Sequence, residues 1–208
     1  MLHPVRTLRS VASLPEEHTS WAAALRGDSY GFAAVFDRHR DRVYRHALRL
    51  TGNVHDAEDL TAGAFLELWR RRRSVRVVDG TVLPWLLVTT TNLARNHARG
   101  LRRYRALIDA LPRSDDARGA GDVAIEHIEE VVVAEKMRQA LNSLGKSDAA
   151  LITLTAFEQY SPAQAATVLG ISEGAARTRL HRARARMAAA LEAARAGERN
   201  DVTKEMLR

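Results

Sequence analysis

Arg177, Thr178, Arg179, His181, Arg182, Arg184 and Arg186 fall in one short stretch near the C-terminus, and together they have the chemistry of a nucleic-acid reader. Guanidinium groups pair bidentately with guanine in the major groove or with phosphates. They read sequence only when a rigid element presents them together, and the flanking residues build one. Ser161, Pro162 and Gln164 form a capping box with proline at the first helical position. Gly170 suits the left-handed residue that closes that helix, Ser172 can cap the next, and Glu173 favours its first turn. In the second helix Ala176, Leu180, Ala183, Met187 and Leu191 recur at steps of three and four, which makes one buried stripe. The stretch Ser161 to Met187 is therefore predicted to be a helix-turn-helix. Arginines alone would also fit a helix that merely keeps the chain soluble; two caps around a glycine turn favour duplex DNA.

A second candidate set lies on a helix predicted from Pro84 towards Arg103. Trp85, Thr89, Asn92, Asn96, Arg99 and Arg103 share one face, and Leu86, Thr90, Leu93, His97 and Leu101 share an inner one. An aromatic, amides and arginines in one line suit single-stranded nucleic acid, since bases stack, amides satisfy base edges and arginines follow phosphates. The same pattern fits a tryptophan packed in the core beside solvated amides, and periodicity does not separate the two. His97, on the inner stripe, reads as a satisfied core histidine rather than a ligand. A third set is acidic: the helix whose apolar face is Ala57, Leu60, Thr61, Ala64, Phe65, Leu68 and Trp69 carries Glu58, Asp59, Ala62, Gly63, Leu66 and Arg70 opposite. An exposed leucine beside acids suits protein docking, although a lone exposed apolar residue carries little weight.

These elements sit in an all-α pattern. A short helix with Trp21 and Leu25 ends near Gly27; Phe32, Val35, Phe36, His39, Val43, Ala47 and Leu48 follow helical spacing until Thr51-Gly52-Asn53 interrupts them. The chain has 208 residues, 46% of them hydrophobic, enough for two small helical domains, and its sequence carries no internal repeat that would argue for an array. A net charge of +7 and a pI near 10.5 favour a polyanionic partner. The charge is not uniform. Arg70, Arg71, Arg72, Arg73, Arg76, Arg95, Arg99, Arg102, Arg103 and Arg105 oppose Asp79 alone, whereas Asp109, Asp115, Asp116, Asp122, Glu126, Glu129, Glu130 and Glu135 outnumber Arg113 and Arg118. With Pro112, Ser114, Gly119 and Gly121, the acidic stretch reads as a flexible solvated linker. The chain has no cysteine, which excludes disulfides and thiolate metal sites. The N-terminus lacks a signal-like apolar core and the apolar run from Val82 to Val88 is too short to span a bilayer, so a cytoplasmic protein without membrane insertion is expected.

The segments FAAVFDRHRDRVYRHALRLTGNVHDAEDLTAGAFLELWRRR, LPWLLVTTTNLARNHARGLRR and SPAQAATVLGISEGAARTRLHRARARM, in that order around an acidic linker, resemble a bacterial extracytoplasmic-function (ECF) RNA polymerase sigma factor. The resemblance spans roughly Trp21 to Leu191. It implies a sigma region 2 helical bundle at 18–106, a linker at 107–128 and a region 4 helix-turn-helix domain at 129–195. An N-terminal extension at 1–17, expected to be disordered, and a C-terminal tail at 196–208 complete the chain. It further implies a non-enzymatic subunit that directs core RNA polymerase to promoters. By position, Arg177, Thr178, His181 and Arg182 would contact the −35 element; Trp85, Asn92, Asn96 and Arg99 the −10 element, with Asn92 where a flipped base is captured. Asp56, Glu58, Asp59 and Leu66 would dock on the β′ clamp helices, and the β flap is the second polymerase contact. Ala62 and Gly63 depart from the glutamine and acid common in the family just before the aromatic position of Phe65. The resemblance also implies that the linker near Pro112 to Ile125 follows the RNA path, and many relatives are held by an anti-sigma partner.

Two other classes compete. A helix-turn-helix regulator that is not a polymerase subunit explains Ser161 to Met187 but leaves the acidic helix and the Trp85 stripe unused. A nucleic-acid enzyme finds no HExxH, no phosphate-cradling glycine loop and no acid pair beside a histidine, so neither cofactor nor metal is expected; Asp56, Glu58 and Asp59 fit a helix's first turns better than a cation site.

Overall fold

The computed structural model describes residues 16–110 and 128–206, with side chains at 16–110 and 132–193. The expected extension up to residue 15 and the Pro112 to Ile125 linker lie outside the described residues. Helices α1 (Glu17–Leu25), α2 (Ser29–Thr51), α3 (Val54–Arg71) and α4 (Leu83–Asp109) form the N-terminal module. Helices α5 (Ile128–Ser143), α6 (Lys146–Ile152), α7 (Pro162–Leu169) and α8 (Glu173–Met206) form the C-terminal one. Among the described residues there is no strand, only an isolated bridge between Val78 and Thr81 in the turn before α4.

Local chemistry sets the helix ends. The Asp28 carboxylate accepts the Tyr30 amide at 2.8 Å to start α2, and Gly52 ends it at φ 68° with its N–H on Leu48. Asn53 then caps α3 through the Asp56 amide at 3.0 Å. Gly31 lets α1 cross α2 closely, because a Cβ there would stand 2.6 Å from Ala23 Cβ and 2.7 Å from the Ser20 carbonyl. The N-terminal core gathers Trp21, Val35, Val43, Ala64, Phe65, Leu68 and Leu86, with edge-on ring pairs Phe36–Phe65 and Phe32–Trp69. Glu17 ties this module's ends together: its carboxylate accepts the Val82 amide (2.7 Å) and the Thr81 hydroxyl (3.0 Å) and lies 2.9 Å from His39. Burial alone would raise its pKa, but these partners outweigh burial and hold it below the ordinary carboxylate value.

The C-terminal core contains Leu141, Leu144, Leu151, Ile152, Leu154, Val168, Leu180 and Met187, and Val78 and Leu87 of the N-terminal module belong to it. The modules are therefore docked on each other. Helix α4 runs longer than its predicted span, and its last residues, 101–110, are all exposed. Leu101, expected on the inner stripe, is one of them, because α4 has left the bundle by that point. Arg95, one of the cations of the basic block, turns inward. It is 6% exposed and donates to the carbonyls of Leu141 and Leu144 at the end of α5, where helix carbonyls lack internal partners. Burial and then Arg99 and Arg102 lower its pKa, yet a guanidinium stays protonated.

His46 on α2 is buried at this junction, its Nε2 2.9 Å from Thr91 Oγ1. Burial pushes its pKa down to about 4, with Glu158 pulling the other way. A depressed histidine stays neutral in the fold while the unfolded chain takes up a proton near pH 6.5, so stability is fully present above 6.5 and is lost as pH falls towards about 4. Urea unfolding across that window should show a fall that His46→Gln removes, a difference of up to about 3 kcal/mol; parallel curves for the two proteins would contradict the assignment.

Candidate nucleic-acid and protein-docking interfaces

The helix-turn-helix forms as its sequence specifies. Both halves of the capping box are present, Ser161 Oγ accepting the Gln164 amide at 3.2 Å and Gln164 Oε1 accepting the Ser161 amide at 2.7 Å. Gly170 takes φ 66°, and Ser172 Oγ accepts the Ala175 amide at 3.2 Å to open α8. Ala176, Leu180, Ala183 and Met187 are buried, which turns Arg177, Thr178, His181 and Arg182 outward on one exposed face. Arg177 is held by Glu173 one turn earlier, and the Thr178 hydroxyl donates to the Gly174 carbonyl. Arg179, Arg182 and Arg186 line a shallow recess with Lys146 and Ser147, where Arg186 pairs with Asp148. A duplex laid against α8 thus meets two guanidiniums aimed outward and a basic shoulder suited to phosphates.

On α4 the second set divides. Asn96 and Arg99 are exposed and joined, the guanidinium donating to Asn96 Oδ1 at 2.6 Å. Asn92 is half-buried, and its Oδ1, itself buried, finds no donor among the described residues. Trp85 is half-buried and packs against both hydrophobic clusters, leaving part of the ring available. His97 points from the other side of α4 to Asp56 on α3, Nε2 to Oδ2 at 3.4 Å. Asp56 is therefore partly engaged in holding α3 to α4, unlike the exposed Glu58 and Asp59.

The acidic helix gains a feature that the sequence did not reveal. Leu66, 49% exposed, stands at the edge of an apolar groove of about 470 Å³ lined by Phe32, Phe36, Ala62, Phe65 and Trp69. A neighbouring recess carries Glu58 and Tyr44, also beside Ala62. The small Ala62 side chain keeps the groove open, and Gly63 sits where a Cβ would come within 3.3 Å of Leu93 Cδ1 on α4, tighter than most such contacts. A helix surface with an apolar ridge fits here, flanked by acids that favour a basic partner. Among the described residues no group of three or more His, Cys, Asp or Glu side chains is placed to hold a metal, and no helix is long and apolar enough to cross a membrane.

Comparison with known proteins agrees with this layout. Residues 35–104 match Sigma-70 region 2 and residues 134–187 match Sigma-70 region 4. The chain is 38% identical over 148 residues to the ECF RNA polymerase sigma factor SigE of Mycolicibacterium smegmatis, covering 71% of this chain and 56% of that protein. It is 30% identical over 169 residues to the ECF RNA polymerase sigma factor SigM of Mycobacterium tuberculosis, covering 80% of each. The fold is similar to that in a solved structure of CnrH in complex with the cytosolic domain of CnrY, with TM-score 0.54, 23% identity, and coverage of 86% of this chain and 98% of that one. With both sigma regions matched in order and a relative of this identity spanned over most of its length, the chain belongs to the ECF RNA polymerase sigma factor family.

Proposed function

We propose that this chain binds core RNA polymerase and directs it to promoters, reading a −35 element as duplex through α8 and a −10 element as a separated strand through α4. The observation that carries the proposal is the exposed quartet Arg177, Thr178, His181 and Arg182 on one face of a fully capped helix-turn-helix. It reads the −35 element while a second, chemically different stripe on α4 reads the −10 element. The protein acts without catalytic groups: recognition comes from hydrogen bonding and phosphate contacts. Melting comes from capture of a base that has left the stack, for which the unstacking cost is a few kcal/mol. The module boundaries at 18–106 and 129–195 are part of this reading, as are the β′ clamp helices on the Leu66 groove, the β flap on the C-terminal module, a cytoplasmic location and an anti-sigma partner. A regulator that never joins the polymerase would leave the apolar groove, with Glu58 in the recess beside it, without an occupant.

Arg177→Ala and Arg182→Ala should each relax −35 preference by about 1–3 kcal/mol at the affected base, read by transcription with purified core polymerase over a promoter library, with core binding intact. Loss of core binding in these variants would overturn the assignment. Asn92→Ala should leave closed-complex affinity nearly unchanged and lower the open fraction roughly fivefold or more, the worth of one hydrogen bond. Permanganate reactivity of the −10 thymines equal to that of the unsubstituted protein would remove Asn92 from the base site. For the docking groove, Leu66→Asp combined with Asp59→Lys changes only exposed positions, so helicity should persist while core association weakens on the order of tenfold or more. Undiminished co-purification with core polymerase would dismiss that surface.

A further inference from the structure

We infer that Glu158 is an intramolecular latch that holds the free chain in a closed form unable to engage a whole promoter, an inference that rests on the two-element reading above. Glu158 follows the π turn Thr153–Phe157 of the C-terminal module, and Gln159 beside it takes a left-handed φ of 59°, so the chain is bent to aim this carboxylate inward. Its side chain is 2% exposed. Both oxygens are gripped from α2 of the other module: Oε2 accepts from Arg42 Nε at 3.1 Å and Nη2 at 2.6 Å, and Oε1 accepts from Arg49 Nη2 at 2.6 Å.

Around this pair the modules also meet through polar groups, beside the apolar cluster that they share. Thr91 and Thr153 hydroxyls meet at 3.2 Å, Gln164 donates to Asp79, the Arg76 guanidinium lies over Gly170, and Arg95 ends α5. The carboxylate is desolvated and depends on its arginines, whereas Arg42 and Arg49 are 49% and 59% exposed and lose little when released to water. Hydrophobic closure is supplied by buried Leu87 and Val78 and by partly buried Leu50, Leu83, Trp85 and Val88.

Promoter geometry requires the separation. Elements centred near −35 and −10 lie about 25 base pairs apart, roughly 85 Å of duplex at about 3.4 Å per pair. A docked globule of this chain length has a radius of gyration of about 17 Å and a diameter of about 43 Å. The chain between Ala110 and Ile128 reaches at most about 60 Å when extended, enough to make up the difference once the modules part. Closed, the protein presents α8 outward but cannot place α4 on the second element at the same time. Polymerase binding must therefore supply the cost of breaking the Glu158 contacts, and a chain without the latch should bind core polymerase more tightly.

The test uses the full chain, whose lack of cysteine allows one dye pair at Tyr30→Cys and Ala189→Cys, both exposed and on opposite modules. Energy transfer in the free protein should be high and single-peaked. Glu158→Arg should lower it, as should Arg42→Glu with Arg49→Glu, and all three changes together should restore it by re-forming the pairs with reversed sign. The opened variants should bind purified core polymerase about five- to tenfold more tightly than the parent, and the reversed-sign triple variant should return to the parent value. Low transfer in the parent chain, transfer that no variant changes, or failure of the triple variant to close would each overturn the latch. The transfer signal needs no polymerase, so it judges the latch independently of the promoter reading, whose failure would appear instead as no core binding by any variant.

Discussion

Helix α4 is buried on two sides at once, and the other parts of the molecule are placed by that constraint. Leu86 and Thr90 enter the N-terminal core, Leu87, Thr91 and Arg95 face the C-terminal module, and all five have 6% exposure or less. Two fully buried leucines contribute about 1.5–3 kcal/mol each, one to each core. Only the sector carrying Asn96 and Arg99, with Asn92 and Trp85 at its border, is left to meet a ligand. The proposed nucleic-acid stripe is thus the remainder of a helix already used twice in the closed chain, and the N-terminal core keeps it rigid once the modules part.

The same constraint explains which parts of the molecule were legible in the sequence. Helix ends depend on contacts within four residues, and Ser161, Gln164, Gly170, Ser172, Gly52 and Asn53 each do in the structure what their types dictate. Periodicity likewise found the buried face of α8 and the outward direction of Arg177, Thr178, His181 and Arg182. Docking was not legible, because its groups carry no local pattern. Glu158 and Arg42 are separated by 116 positions, and each looks like a solvated surface charge until the fold brings them together. Arg95 reads as one more cation in a basic run, yet it is the one that turns inward. The Leu66 groove was half legible: its leucine was visible as an exposed apolar residue, but its floor is Phe32 and Phe36 from another helix.

The departures at Ala62 and Gly63 become physically coherent once the groove and α4 are considered together. Glycine in mid-helix costs about 1 kcal/mol relative to alanine. At position 63 an added Cβ would press on Leu93, so part of that cost is offset by closer approach of α3 to α4. Ala62 gives up a polar contact and leaves a wider apolar floor beside Phe65 and Leu66. Docking at this surface, as proposed, would rest more on shape and burial than on hydrogen-bond geometry, with the exposed acids Glu58 and Asp59 on the same helix adding long-range attraction.

The two proposed nucleic-acid surfaces are held in opposite ways. On α8, Arg177 is already extended along Glu173 by an exposed i, i+4 ion pair, which contributes little stability and so is given up cheaply when a guanine competes for the guanidinium. That pair restricts the side chain before DNA arrives, lowering the entropy lost on binding. On α4, Asn96 and Arg99 restrict each other in the same manner, whereas the Asn92 side-chain oxygen is buried with no donor among the described residues and carries the penalty of an unmet hydrogen bond. A duplex can be read by side chains that are merely poised, because its bases are held in place by their partners. A single strand offers no such frame, and a strand read by α4 would take it from the protein side, where Leu86 seats the helix in the N-terminal core.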